Sequence, residues 1–313
     1  MNQTTQNIHN TVLWTALVTP MHEDGSVDFD SLVSLAKRQA NAGNGITLLG
    51  STGEGLALNA SEQFAIVECV TKLALDVPIM VAVGGYNLAA QQAWISQCDQ
   101  LGVDAYLIAS PIYAKPGVQG LTHWFQTLLS QANAPCMIYN VPSRSGVNIP
   151  VAAIQNIQDH PNCWAIKEAS GDLNTILNFR QHCPKVALYS GEDAMMPYLA
   201  GADVQGLVSV AGNVWPKATN RYVKQALAGE HKGLFPLWHN AVAALFQVAS
   251  PIATKVLMAE KGLLISPKLR EPLTEKELST SQQLTEIDQQ INQWLTQSQP
   301  SEANNIQQII GVK

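Results

Sequence analysis

Short, mainly apolar runs without a charged residue recur along the first two-thirds of the chain, and each is followed by a stretch of helical period. The runs cover 13–18, 46–49, 78–83, 105–109, 136–139, 163–166, 186–189 and 206–210. They lack the apolar–polar alternation of a half-exposed strand and are short enough to be strands buried on both faces. Between the first two, Phe29, Leu32, Val33, Ala36 and Ala40 fall on one helical face. Asn59 with Glu62 three residues on has the form of a capping box opening a helix through Phe64, Val67 and Leu73. Further helical patterns end near Leu101 and span 121–132 and 150–157. Eight such βα units predict an α/β fold, a closed (β/α)8 barrel of the TIM type with helices outside. An open doubly wound sheet is the alternative, but no Gly-x-Gly-x-x-Gly follows the first run.

Beyond Pro216 the alternation ends. Helical patterns over 217–228, 234–248, 252–262 and 274–295 predict a C-terminal helical extension. The expected organisation is therefore a barrel over 11–215, a helical region over 216–299 and a tail over 300–313. That tail is polar apart from Ile306, Ile309, Ile310 and Val312.

Composition narrows the function classes. Charged residues make up 13% of the 313 positions, against ~25% in a typical domain, which favours self-association. The formal net charge is −6 and no Lys/Arg cluster occurs, so nucleic acid is not an expected partner. No apolar run approaches the ~20 residues of a membrane helix, and the first ten residues contain no apolar leader segment. Five scattered cysteines without a C-x-x-C pair suit reduced thiols in a cytoplasmic protein and no metal site.

The candidate chemistry lies at the ends of the runs: Ser51, Thr52, Tyr113, Tyr139, Arg144 and Lys167. In a βα barrel these ends form the face that carries active sites. Lys167 stands at the mouth of the sixth run, where desolvation disfavours the charged form, and a neutral amine can attack a ketone. A lone lysine there would more often snorkel to water or pair with Glu168. Likewise, a lone Tyr139 would be a strand-end ring, Thr52 a capping hydroxyl, Tyr113 a loop-packing ring and Arg144 a surface charge. It is their clustering that favours the functional reading, while Glu54 and Glu168 are expected to bond turn backbone.

Three segments carry a family resemblance: Gly50-Ser51-Thr52-Gly53-Glu54, Tyr139-Asn140-Val141-Pro142-Ser143-Arg144-Ser145-Gly146 and Ile166-Lys167-Glu168-Ala169-Ser170-Gly171. Together they resemble the pyruvate-dependent class I lyases, and among these the dihydrodipicolinate synthases. The likeness runs from about 13 to 274 and includes the segments 190–194, 209–213 and 251–255. It implies that Lys167 forms a Schiff base with pyruvate, whose protonated imine acts as an electron sink. It implies that Tyr139 shuttles protons, with Thr52 as a relay; an isolated phenol needs hydrogen-bonded partners for that work. Tyr113 matches a tyrosine that a neighbouring subunit inserts, implying a dimer or a dimer of dimers. The amides around Ser51 and Thr52 would hold the pyruvate carboxylate, and Val210 falls in a matching substrate-binding segment. Arg144 would hold the carboxylate of L-aspartate 4-semialdehyde, as a guanidinium fork can. No metal or organic cofactor is implied.

Sialic acid lyases share the Gly-Ser-Thr-Gly-Glu segment, the tyrosine and the lysine but generally lack the arginine. A related aldolase for sialic or keto-deoxy sugar acids is thus the alternative enzyme, and a silent keto-acid-binding barrel the alternative outside enzymes. Lysine-inhibited members bind the end product with polar and histidine side chains. Here Gly55, Ala60, Gln63, Gln91 and Ile112 stand at those places and only Asn87 matches. Weak or absent feedback by L-lysine is the expectation.

Overall fold

The computed structural model describes residues 8–297; the tail 300–313 and the first seven positions lie outside the described residues. Eight strands form the barrel: β1 (Leu13–Ala16), β2 (Gly45–Leu48), β3 (Ile79–Val83), β4 (Ala105–Ala109), β5 (Cys136–Asn140), β6 (Cys163–Glu168), β7 (Ala187–Ser190) and β8 (Gly206–Ser209). Each is parallel to its neighbours, and β8 pairs back onto β1 to close the sheet.

Strand parity sorts the side chains into two cores. Ile46, Val81, Ile108, Ile138, Ile166, Leu188 and Leu207 face the helices, whereas Met80, Leu107, Met137, Ala165, Tyr189 and Val208 face the barrel axis. The bottom is plugged by rings: Trp164 lies 5.9 Å from Trp14 and 5.4 Å from Tyr189, with His9 against its edge. Trp164 is the extra residue where the β5–β6 register shifts, since Cys136 pairs with Cys163 but Met137 with Ala165. Ile8, from the polar leader, is buried in the same plug.

The outer ring comprises α1 (Phe29–Ala40), α2 (Ala60–Thr71), α3 (Leu88–Gln100), α4 (Val118–Gln131), α5 (Val151–Gln155) and α6 (Leu173–His182). The Asn59–Glu62 capping box at the start of α2 is present in both directions. Only short helical turns, over 193–202, follow β7. The helix after β8, α7 (Pro216–Leu227), packs on β1 and β8, so the ring extends past 215. Three further helices, α8 (Leu237–Leu245), α9 (Ile252–Glu260) and α10 (Gln282–Gln297), pack on one another, and α10 also packs on α7. Trp238 stacks on Tyr222 at 4.2 Å, and Trp215 Nε1 donates to Asp288 at 2.7 Å. Among the described residues no helix is long and apolar enough to cross a membrane.

Several boundaries differ from the periodicity. The sixth strand runs to Glu168 instead of Ile166, because its ladder with β5 and β7 continues through Lys167 and Glu168. The eighth stops at Ser209, where Asp193 draws the Val210 and Ala211 amides into a turn. The last helix starts at Gln282, not at 274: Thr274 caps a separate 3-10 turn, Glu275–Glu277, and the backbone extends after it.

Candidate active site

Parity decides which polar residues face the barrel mouth. Lys167 follows Ala165 by two positions, and Tyr139 follows Met137 by two, so both continue inward-facing rows. They are register partners across the β5–β6 pair. Lys167 Nζ lies 4.2 Å from the Tyr139 ring centroid, and the lysine is 7% exposed. A lysine this buried needs compensation; the ring face supplies part of it. Among the described residues Lys167 makes no ion pair, so it is not Glu168 that holds it.

Space for the lysine comes from Gly191. A Cβ there would meet Ala169 Cβ at 2.5 Å and Lys167 Cε at 2.8 Å. The next residues shape the floor. Glu192 is half-buried, and burial raises its carboxyl above the ordinary range, opposed by the charge of Lys167. Asp193 is buried and accepts from Ser209 Oγ and from the amides of Val210 and Ala211, at 3.1 Å each. Burial raises its carboxyl too, and those three donors oppose the shift. Val210 is thereby held at the mouth, its carbonyl taken by Asn213.

Glu168 points the other way. Its two oxygens accept from Asn140 Nδ2 and from the Ser170 amide, each at 2.5 Å. Burial raises this carboxyl as well, against those two donors. Asn140 in turn donates to Asn148 and accepts from the Ile149 amide, which fixes the loop after β5. That loop contains the helical turn Pro142–Ser145 and carries exposed Arg144, whose Nη2 donates to Ser250 O at 3.4 Å.

The turn after β2 holds Ser51 exposed and Thr52 buried. Two non-glycine residues in it are left-handed, Leu49 at φ 60° and Glu54 at φ 54°. Such conformations cost about 1–3 kcal/mol each and persist only where the surroundings impose them. Glu54 forms a buried ion pair with Lys255 on α9, at 2.9 Å, and accepts from the Arg270 amide at 2.7 Å. Burial pulls the Lys255 ammonium below the ordinary lysine range, and Glu54 opposes that. Removing one partner of such a pair typically costs about 3–5 kcal/mol, because the other charge is left stranded.

Tyr113 stands apart. It is 91% exposed, in the turn after β4, at φ 67°. Of the candidate residues, then, Lys167 and Tyr139 continue the axial rows, Thr52 and Val210 are buried in the turns after β2 and β8, and Ser51, Arg144 and Tyr113 are exposed in the turns after β2, β5 and β4. Gly191, Asp193 and Lys255 lie within segments of the family likeness, but nothing local in the sequence signals their contacts.

Similarity to known proteins extends over nearly the whole chain. The family model described as "Dihydrodipicolinate synthetase family" matches residues 10–291. The 4-hydroxy-tetrahydrodipicolinate synthase of Francisella philomiragia subsp. philomiragia is 45% identical over 290 residues, covering 92% of this chain and 98% of its own. That of Wolbachia pipientis wMel is 40% identical over 286 residues, covering 91% and 97%. Among solved structures, DHDPS from Cyanidioschyzon merolae with lysine bound superposes with a TM-score of 0.84 at 29% identity, covering 91% of this chain and 99% of that one. The chloride-inhibited dihydrodipicolinate synthase from Acinetobacter baumannii complexed with pyruvate gives 0.82 at 28% identity, covering 92% and 99%. With nearly its whole length matched by one family model, and with relatives well above 30% identity, the chain belongs to the dihydrodipicolinate synthetase family.

Proposed function

We propose that this enzyme condenses pyruvate with L-aspartate 4-semialdehyde to give 4-hydroxy-tetrahydrodipicolinate, in lysine and diaminopimelate biosynthesis. The observation that carries the reading is a lysine buried at the mouth of the barrel, in register with a tyrosine and against its ring, in a chain of this family. Lys167 Nζ attacks the pyruvate ketone carbon, and loss of water leaves the imine. Once that imine is protonated, the methyl group loses a proton and the resulting enamine carbon bonds the aldehyde carbon. The amine of the second substrate then displaces Lys167 from the imine carbon and closes the ring. Tyr139 moves protons between these centres, with the Ser51–Thr52 turn as relay and carboxylate cradle. Arg144 on the rim takes the carboxylate of the semialdehyde.

Self-association belongs to the same reading. Exposed Leu56, Tyr86 and Tyr113 lie on adjoining turns, those after β3 and β4 being joined by Ile112 N donating to Gly85 O at 3.2 Å. An exposed apolar patch of this kind suits a second copy of the chain. A dimer or a dimer of dimers, with Tyr113 completing a neighbour's site, follows. All five cysteines are unpaired thiols, which suits a reducing cytoplasm.

The test is turnover of pyruvate with L-aspartate 4-semialdehyde, coupled to the following reductase, in wild type and Arg144→Ala. Turnover that collapses in the variant supports the assignment. Borohydride trapping of pyruvate on Lys167 without turnover would keep the Schiff base and assign another aldehyde.

A further inference from the structure

The turn that carries Ser51 and Thr52 is strained, and the groups that hold it come from far away in the chain. Leucine has no polar group with which to stabilise a left-handed backbone locally, yet Leu49 adopts one, as does Glu54 five residues on. The chain between them is drawn in tightly. A Cβ on Gly55 would lie 1.9 Å from Leu49 O, and one on Gly53 2.9 Å from Leu17 O.

One ammonium grips this turn at two points. Lys255, fully buried on α9, donates from Nζ to Glu54 Oε1 and to Thr19 O, both at 2.9 Å. Thr19 Oγ1 in turn donates to Gly53 O at 2.7 Å, and the Arg270 amide holds the other Glu54 oxygen. Thus Lys255 reaches the end of the turn directly and its Gly53 peptide through Thr19. A buried pair that served only to dock α9 could be exchanged for apolar side chains. Such an exchange would leave Thr19 O without this donor and the Arg270 amide without its acceptor.

We propose that Lys255 is a positioning residue for pyruvate: through Glu54 and Thr19 it keeps the Ser51–Thr52 turn in the strained form that receives the substrate carboxylate. This rests on the reading that the turn is the carboxylate cradle. Lys255 touches no reacting atom, so its loss acts through the turn, on pyruvate capture and on the Thr52 relay, and spares the affinity for the second substrate.

The experiment compares wild type with Lys255→Met, with the neutralised pair Lys255→Met/Glu54→Gln, and with Lys255→Arg. Each is melted thermally, then titrated with pyruvate under borohydride trapping, and finally assayed in steady state against both substrates. The neutralised pair strands no charge, so it reports even where Lys255→Met does not fold. In the folded variants half-saturation by pyruvate rises about ten-fold or more. At saturating pyruvate the trapped adduct reaches wild-type stoichiometry, and KM for the aldehyde stays within about two-fold. Lys255→Arg, which keeps a donor and the charge, recovers part of the pyruvate affinity. A folded variant with wild-type half-saturation by pyruvate overturns the proposal, as does one that loses both affinities together. Wild type that never traps pyruvate would instead sink the functional reading, and the proposal with it.

Discussion

Lys167 Nζ sits over the face of the Tyr139 ring, 4.2 Å from its centroid, and the two residues are register partners on adjacent parallel strands. The relationship follows from strand parity, since both continue rows that face the barrel axis. The face of an aromatic ring is electronegative and attracts a cation. A protonated imine formed at the same nitrogen places its charge over the same ring. Tyr139 thus has two separable contributions, one from its ring and one from its hydroxyl.

Tyr139→Phe keeps the ring and removes the hydroxyl. Pyruvate is then still trapped on Lys167, while steady-state turnover falls roughly a hundred- to ten-thousand-fold. Tyr139→Leu removes both, and trapping at limiting pyruvate weakens as well. Borohydride trapping set beside coupled turnover separates the two; equal loss in both assays for the phenylalanine variant would refute a proton-transfer role.

Gly191→Ala should displace the lysine. The added Cβ meets Lys167 Cε at 2.8 Å and Ala169 Cβ at 2.5 Å, inside van der Waals contact. A shift of about 1 Å in a reacting group costs on the order of a hundred-fold in rate. The check is kcat in a variant whose thermal melt stays close to wild type.

Asp104 predicts a pH-dependent stability. Its carboxylate accepts from the Ile79 amide at 2.8 Å, yet burial holds its pKa above the ordinary 3.8. The folded protein therefore keeps this proton to higher pH than the unfolded chain does. Its contribution to stability declines as pH rises from the ordinary aspartate value through the raised one. Asp104→Asn retains an oxygen for Ile79 and removes the charge. Its melt should lie above wild type by on the order of a few degrees near neutral pH, with the gap closing towards about pH 4. A gap that widens on acidification would reverse the sign.

Tyr113, 91% exposed on its own chain, should act in a neighbour's site. Lys167→Ala and Tyr113→Ala would each be inactive or nearly so alone. Mixed dimers would then contain one complete site, and activity would return to roughly a quarter of wild type on random reassociation. Mixing without recovery would leave Tyr113 with a role in its own chain only.

L-Lysine should inhibit weakly or not at all at millimolar concentration. Gln63 Nε2 is already spent on Gly55 O and Leu58 O, and the Asn87 side chain caps α3 by accepting from the Ala90 amide. Ala60, Ile112 and Gln91 offer no carboxylate for the ligand's ammonium. Calorimetric titration with L-lysine, alongside initial rates, is the direct check.

What the sequence determined by itself is what local periodicity and motif order carry. Short apolar runs free of charge are suited to burial on both faces, and eight of them separated by helical stretches leave a closed barrel as the consistent packing. Residues that end those runs share one face for the same reason, so Lys167, Tyr139, Thr52 and Arg144 could be named as a group. The tertiary structure alone decided the rest. Lys167 lies inside β6 and not beyond it, because a strand's end is set by its neighbours' hydrogen bonds and not by its own hydrophobicity. Gly191 makes room for the lysine across a strand boundary, which no pattern along one segment reveals. Lys255 meets Glu54 across 201 positions of sequence, and only chain closure brings them together. Contacts of that kind are fixed by how the elements pack, and a period of two or of 3.6 residues holds no information about them.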